Sequence, residues 1–128
     1  MKISKYRHDS DYSYTLGATL TIELLKCIPG AVEEVFINSK TESNNTLNAL
    51  CEKFNIKMTV SDKVFNILSP KGNCFVIGVF RKFEHHITEG NHVVLVNPSD
   101  AGNVGTIIRT AVGFHINNIA VVSPAVDI

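Results

Sequence analysis

This sequence predicts an α/β fold, because segments with helical periodicity alternate with short runs of β-branched and aromatic residues. One polar segment, EHHITEGN at residues 84–91, interrupts the alternation, which then resumes. We therefore predict two domains, 1–88 and 89–128. The second domain is a bare strand–helix–strand, which leaves one apolar face of its sheet uncovered.

The first half of domain 1 shows two helical segments with a strand between them. Leucines recur at helical spacing over residues 14–28, and Pro29-Gly30 ends that pattern. Residues 32–37, VEEVFI, have the composition of a short strand. Residues 44–55 again predict a helix, with an asparagine available as its N-cap.

The second half of domain 1 repeats the alternation. Residues 57–60 predict a short strand, and residues 61–68 predict a short helix capped by Ser61. Residues 74–83, CFVIGVFRKF, predict a strand because they are rich in aromatic and β-branched side chains.

Domain 2 contains the most informative stretch of the chain. We predict a strand over 92–96, a polar loop over 97–102, a helix over 103–114 capped by Asn103, and a strand over 119–122. On the helix, Arg109 shares one face with Thr106, Thr110 and Gly113. The predicted buried stripe is Val104, Ile107, Ile108, Ala111 and Phe114.

A strand that leads through a Gly/Asn loop into a helix presents backbone N–H groups and the positive end of the helix dipole at one point. Such a loop suits an anion or a polar group of a nucleic acid. The segment is neither a Walker A motif nor a G-x-G-x-x-G fingerprint. From the residues alone, Arg109 is either a solvated helix-face arginine or a functional one.

Composition limits the classes of partner. The 128 residues carry 12 Lys+Arg and 12 Asp+Glu, so strong non-specific binding to nucleic acid is disfavoured, while a local basic patch is not excluded. No apolar run approaches the roughly 18 residues that span a bilayer, and the N-terminus lacks a secretory h-region. We therefore expect a cytoplasmic protein without membrane partners.

Two basic segments allow two interpretations each. The arm with Lys2, Lys5 and Arg7 is either a disordered solubilising tail or a phosphate contact. Arg81 and Lys82, which lie between two phenylalanines, either hold single-stranded RNA by stacking and charge or simply end a strand.

Metal binding and disulfides are not expected. The three cysteines, Cys27, Cys51 and Cys74, are odd in number and widely spaced, and we predict buried, reduced thiols. His85 and His86 are adjacent on an extended segment, where side chains point to opposite sides, and no third ligand is evident.

The segment NPSDAGNVG at 97–105, with IRTA at 108–111 and GF at 113–114, resembles the first signature motif of the SpoU/TrmH RNA 2′-O-ribose methyltransferases. That family belongs to the knotted SPOUT class and uses S-adenosylmethionine. Asn103 and Arg109 keep the family's spacing of six residues. Residues 119–128 resemble the family's next strand and loop. Domain 1 resembles the ribosomal-protein-like α/β sandwich domain that helps many members bind RNA.

The resemblance implies roles for two residues. Arg109 would position an RNA phosphate or help to activate the ribose 2′-hydroxyl, and Asn103 would orient the ribose or the arginine. The implied substrate is ribosomal or transfer RNA, with the basic residues Lys2, Lys5, Arg7, Arg81 and Lys82 as candidate RNA contacts. S-adenosylmethionine is the implied cofactor of the parent enzyme.

The sequence departs from the family pattern at three points. Ala101 stands where the family usually has proline, and His115 stands where it has glycine, so His115 must accept the backbone angle of that glycine. The family's second and third motifs, which form the knot and bind the methyl donor, would follow Ile128. We therefore expect this chain to lack the knot, to bind no S-adenosylmethionine and to be inactive alone.

Two alternative functions stay open. One is a non-catalytic, ribosomal-protein-like RNA-binding module. The other is a nucleotide- or phosphate-binding regulator that uses the loop Gly102–Gly105. Whichever function applies, domain 2 has free strand edges and an uncovered apolar side on its helix, and these predict a homodimer.

Overall fold

The computed structural model describes residues 2–126. They form two compact units, one up to Phe83 and one from Glu84 onwards, whereas the sequence places the boundary after residue 88. Asp127 and Ile128, which end the segment resembling the family's next strand and loop, lie outside the described residues. In the described range, no helix is long and apolar enough to cross a membrane.

Unit 1 is a four-stranded sheet with helices. The strand order is β1-β4-β2-β3, in which β4 is antiparallel to both of its neighbours and β3 is parallel to β2. A turn of 3-10 helix, Pro29–Ala31, lies between α1 and β2. The elements in chain order are β1 (Tyr12–Leu16), α1 (Ala18–Cys27), β2 (Val32–Ile37), α2 (Asn45–Lys53), β3 (Met58–Val60), α3 (Asp62–Leu68) and β4 (Val76–Arg81).

The first element is a strand, so the prediction of one helix from residue 14 was wrong. Gly17 has φ 111°, a conformation that favours glycine, and this residue separates β1 from α1. Tyr12 and Tyr14 both pack on the same apolar cluster. Tyr12 and Tyr14 are two positions apart, which is the spacing of residues on one face of a strand. The leucines at helical spacing begin in the same segment, and the helical pattern therefore obscured the strand.

The two predicted helix caps of unit 1 have different outcomes. Asn44 caps α2, because its Oδ1 accepts the N–H of Leu47 at 3.0 Å. Ser61 occupies the N-cap position of α3, but its side chain makes no cap hydrogen bond. The capping role predicted for Ser61 was therefore wrong.

The sheet separates two apolar clusters. Val35 and Val76 pack with α1 and α2 in one cluster, while their neighbours Phe36 and Ile77 pack with α3 in the other. Val32 joins Val35 in the first cluster although three positions separate them. A register irregularity between Val32 and Glu34 shifts the alternation and places both valines on one face.

One glycine of β4 allows α1 to lie close to the sheet. A Cβ at Gly78 would be 2.5 Å from Thr15 Oγ1 and 3.1 Å from Thr21 Cγ2. The Thr15 and Thr21 hydroxyls are hydrogen-bonded at 2.9 Å, and Thr21 is 0% exposed. Helix and sheet therefore meet over a buried polar contact that requires glycine at this position.

The cysteine prediction was correct for two residues. Cys51 and Cys74 are buried and free, and burial raises the pKa of the Cys51 thiol. Cys27, the last residue of α1, is free but exposed. Its position at a helix end places it outside the apolar stripe that the sequence suggested.

Acid will weaken unit 1 through Asp62. Its carboxylate accepts the Ser39 N–H at 2.8 Å and the Ser39 hydroxyl at 2.7 Å, and these bonds lower the pKa of Asp62. A carboxyl with a lowered folded-state pKa stabilises the fold above its unfolded pKa of about 3.9, and the contribution is lost as pH falls below it. Thermal unfolding at several pH values will show the difference between wild type and Asp62→Asn shrinking below about pH 4. An unchanged difference would contradict this role.

Unit 2 consists of β5 (His92–Val96), α4 (Ala101–Gly113) and β6 (Asn118–Val122). The two strands are parallel and pair in continuous register from His92 opposite Asn118 to Val96 opposite Val122. These elements confirm the predicted strand–helix–strand.

The apolar stripe of α4 is narrower than predicted. Val104 and Ala111 are buried, but Ile107 is exposed and Phe114 is 76% exposed. Val96 of β5 is 68% exposed as well. A two-stranded sheet with one helix has too few partners to cover these side chains.

Helix α4 ends in a left-handed residue. His115 has φ 59°, and its N–H bonds to the Val112 carbonyl at 3.0 Å, while the Ile116 N–H bonds to the Ala111 carbonyl at 2.9 Å. These two bonds form a Schellman motif, in which glycine is the usual residue. The expectation that His115 takes a backbone angle typical of glycine is confirmed.

Candidate nucleic-acid interface

The carboxyl ends of β5 and β6 are tied together by hydrogen bonds between the loops that follow them. Asn97 has φ 48°, and its N–H donates to the Val122 carbonyl at 3.0 Å. Its Nδ2 donates to the Pro124 carbonyl at 3.2 Å. The Val126 N–H donates to the Pro98 carbonyl at 2.7 Å. The turn that leads into α4 is thus held in one conformation.

Asp100, not Asn103, caps α4. The Asp100 carboxylate accepts the Asn103 N–H at 2.7 Å, which places Asn103 in the first helical turn. Both residue types cap helices well, and the point where the chain enters the helix decides which one does so. The predicted cap at Asn103 was therefore wrong, as was the predicted loop as far as Gly102.

The loop Gly102–Gly105, proposed for the phosphate-binding regulator, is helical. The carboxylate of Asp100 already occupies the N-terminal end of the helix. A phosphate approaching the same N–H groups would meet a like charge, which disfavours binding there. The geometry at Gly102–Gly105 therefore does not support the hypothesis of a phosphate-binding regulator.

Arg109 is exposed on α4, and its hydrogen bond to Thr106 is long. Its Nη2 lies 3.4 Å from Thr106 Oγ1, and its Nη1 lies 3.7 Å from the position of a Cβ on Gly105. The Thr106 hydroxyl itself donates to the Gly102 carbonyl at 3.0 Å. Among residues 2–126, no carboxylate forms an ion pair with Arg109, so its guanidinium donors are available to a ligand.

Asn103 and Arg109 are not brought into contact. They are six positions apart on the helix, which separates them by about 9 Å along the axis and about 120° around it. The neighbour of Arg109 is Thr106, which the sequence placed on the same face. Asn103 therefore does not orient Arg109 in this structure, and only an RNA group spanning both side chains would join them.

The N-terminal arm lies against unit 1. Ile3 packs on the apolar cluster around Ile77, and the Tyr14 hydroxyl donates to the Ser4 carbonyl at 2.9 Å. Lys2 and Lys5 flank these anchor points and are exposed. The interpretation of the arm as a disordered tail is contradicted by these contacts.

Arg7 and Lys82, which are 75 positions apart, meet at one surface. Lys82 Nζ donates to the His8 carbonyl at 2.9 Å and to the Tyr6 hydroxyl at 3.1 Å, and lies 4.8 Å from the centre of the Tyr6 ring. Arg7 forms a bidentate pair with Asp9, at 3.0 and 2.7 Å. This pair lowers the pKa of Asp9 and raises that of Arg7.

A similar arrangement occurs at Arg81, the last residue of β4 and the neighbour of Lys82. Its guanidinium carbon lies 5.6 Å from the centre of the Tyr12 ring, and Nη2 lies 3.4 Å from Glu33 Oε1. Sequence reasoning missed both tyrosines. A signal existed, since Tyr6 precedes Arg7 directly in a basic segment. We call the set Tyr6, Arg7, Tyr12, Arg81 and Lys82 the basic–aromatic surface.

Across residues 2–126, no group of three or more histidine, cysteine, aspartate or glutamate side chains could hold a metal ion. His85 has interactions of its own, so the histidine pair is not a free chelating group.

The fold resembles that of two solved rRNA methyltransferases. The chain is similar to an AdoMet-bound rRNA methyltransferase from Sinorhizobium meliloti, with 25% identity and a TM-score of 0.66 over 91% of this chain. A second structure of an rRNA methyltransferase from that organism gives 24% identity and a TM-score of 0.67, again over 91% of this chain. The chain spans about half, 46%, of the length of each.

No protein-family model matches the sequence. No curated protein matches it either. The likeness to rRNA methyltransferases is thus one of three-dimensional structure. The resemblance to SpoU/TrmH is confined to the sequence motif at 97–114.

Proposed function

We propose that this chain is part of an RNA methyltransferase that transfers a methyl group from S-adenosylmethionine to a ribose 2′-hydroxyl of ribosomal or transfer RNA. The observation that carries the proposal is the likeness to an AdoMet-bound rRNA methyltransferase across 91% of the chain. Ribose specificity and membership of the SpoU/TrmH family are supported by the motif at residues 97–114. In this proposal unit 2 opens a knotted catalytic domain of a cytoplasmic enzyme.

Arg109 is the residue that acts on RNA in this proposal. Its guanidinium offers parallel N–H donors to a phosphate, and the absence of an ion pair among the described residues leaves them available. A positive charge near the ribose also stabilises the alkoxide that develops on the 2′-oxygen. Asn103 lies about one and two-thirds turns earlier on α4 and orients the ribose.

The described residues of unit 2 do not by themselves fit S-adenosylmethionine. Every buried side-chain nitrogen and oxygen in the described range has a hydrogen-bond partner. The side chain and backbone of Asn97 are used to join the two loops at the strand ends. We assign no residue of unit 2 to binding of the methyl donor.

The test of this function is transfer of tritiated methyl groups to RNA by the full protein that carries this sequence. We expect label in ribosomal or transfer RNA, resistant to alkaline cleavage at the modified linkage because the 2′-oxygen is blocked. Label in a base would overturn ribose specificity. RNA binding without any label would favour the alternative, a non-catalytic RNA-binding module.

The basic–aromatic surface is the proposed RNA contact of unit 1. Its side chains pair positive charge with aromatic faces, which is the combination that binds single-stranded RNA. Lys2 and Lys5 extend the positive charge along the arm. Asp9 and Glu33 neutralise part of this charge, in agreement with the zero net charge of the chain.

Salt dependence will show whether Arg7 contacts phosphate. Arg7→Ala removes one contact and is expected to reduce the slope of log affinity against log salt by about 0.7, the value for one phosphate on a single strand. Asp9→Asn releases Arg7 from its pair and should raise affinity. The control is Lys26→Ala, an exposed lysine of α1 paired with Glu23. Equal slopes for Arg7→Ala and the control would exclude Arg7 from the RNA contact.

The exposed apolar side chains of unit 2 support a homodimer. Val94, Val96 and Phe114 are more than half exposed, at 57%, 68% and 76%. Burial of such side chains between two copies removes apolar surface from water. Light scattering is expected to give a dimer mass for the wild type and a monomer mass for Phe114→Glu. Leu20→Glu, at an exposed leucine of α1, is the control and should leave the dimer intact. A wild-type monomer at high concentration would contradict the dimer.

A further inference from the structure

A cleft of about 280 Å³ lies in unit 1 where β2 ends and β4 begins. Its walls are the turn after β2, helix α3 and the loop that leads into β4. None of the candidate RNA contacts considered above lies in it.

Hydrogen bonds fix the walls of the cleft relative to one another. Asp62 of α3 accepts both the N–H and the hydroxyl of Ser39. The Thr41 hydroxyl donates to the Phe75 carbonyl at 2.8 Å, and the Asn38 N–H donates to the same oxygen at 3.0 Å. The cleft is therefore formed before any ligand enters, which lowers the entropic cost of binding.

The lining combines an aromatic face with polar groups. Phe75 is 46% exposed, and Phe65, a buried residue of α3, also lines the cleft. Among residues 2–126, neither the Asn66 amide nor the Ser69 hydroxyl has a hydrogen-bond partner. Lys40 adds a positive charge at the same cleft. An amide offers both a donor and an acceptor, as the edge of a nucleobase does.

We propose that this cleft binds one unpaired nucleobase of the RNA, which stacks on Phe75 and is hydrogen-bonded by Asn66, with Lys40 at the adjoining phosphate. The proposal rests on the proposed function, because the ligand is a nucleotide of its RNA substrate. Size supports one base, since the cleft is smaller than the roughly 300–1,000 Å³ of pockets for drug-sized ligands. Bases splayed out of single-stranded RNA are recognised by stacking and edge hydrogen bonds in this way.

The test is titration of the full chain with the four nucleoside 5′-monophosphates, followed by amide chemical shifts in solution NMR. We expect at least one nucleotide to shift the signals of Asn66, Gly72 and Phe75 in a saturable manner. Phe75→Ser should weaken binding by about 5- to 150-fold, the range for loss of one base stack. Lys40→Gln should weaken it less, and Lys71→Gln, a loop lysine outside the cleft, should not change it.

Three results would overturn the proposal. The first is the absence of a saturable chemical-shift change up to about 10 mM nucleotide. The second is that Lys40→Gln and Lys71→Gln have equal effects while Phe75→Ser leaves nucleotide binding unchanged. The third is that inorganic phosphate alone binds as tightly as the nucleotides. Amide spectra of each variant report whether it is folded, so a folding defect is separable from a binding defect. Nucleotide binding without methyl transfer would leave the cleft standing and reject the enzyme. Methyl transfer without nucleotide binding in the cleft would support the enzyme and reject the nucleobase site.

Discussion

Gly78→Ala will lower the free energy of unfolding of unit 1 by about 2–4 kcal/mol, since it combines overpacking with the loss of partly buried hydrogen bonds. The added Cβ would lie 2.5 Å from Thr15 Oγ1, so Thr15 must move away from Thr21 and from the Gly78 N–H that it accepts. Thr21 is fully buried and has no room to follow. Urea denaturation measures the loss.

Gly30→Ala is the matched control for this prediction. No atom of the described part of the chain lies within 4 Å of a Cβ at Gly30, and the backbone of Gly30 is outside the left-handed region. A glycine-to-alanine change at such a site alters stability by no more than about 1 kcal/mol, mainly through the unfolded chain. Similar losses for both variants would show that close packing of α1 on β4 is not the reason for glycine at position 78.

Arg109→Ala will reduce methyl transfer by the full protein about 10²- to 10³-fold, the cost of removing one group that stabilises a developing negative charge. Arg109→Lys keeps the charge but loses the two parallel donors, so we expect an intermediate loss. Arg109 is exposed, and among residues 2–126 its side chain makes one hydrogen bond, at 3.4 Å, so neither change should affect stability by more than about 0.5 kcal/mol.

The control for Arg109 is Lys26→Ala, which removes an exposed cation of α1 that no RNA role involves. Its methyl transfer should equal that of the wild type. If Arg109→Ala retains wild-type transfer with unchanged stability, Arg109 is the solvated surface arginine that the sequence also allowed.

Local pattern was sufficient to predict most of unit 2. The β-branched run of β5 and the helical spacing in α4 can each be recognised within a short window of sequence, and both elements were confirmed. The predicted position of the N-cap of α4 was wrong, because aspartate and asparagine are equally good N-cap residues. Only the path of the backbone determines that Asp100, and not Asn103, is the cap.

Contacts between distant segments could not be predicted from the sequence. Strand β1 exists because Tyr12–Leu16 pairs with β4, some 60 positions later, while its own leucine spacing favours a helix. The basic–aromatic surface likewise depends on Lys82 reaching Tyr6. The basic and aromatic residues of the N-terminal arm and of the end of β4 can be recognised in the sequence. Only the order of strands in the sheet shows that the two segments are neighbours.

The most direct test of the central claim is a map of ribose methylation in RNA from cells that carry the wild-type gene or the Arg109→Ala variant. Alkaline hydrolysis cleaves at every nucleotide with a free 2′-hydroxyl and skips a methylated one. We expect one position in ribosomal or transfer RNA that is skipped with the wild-type gene and cleaved with the variant. Identical cleavage patterns would contradict it.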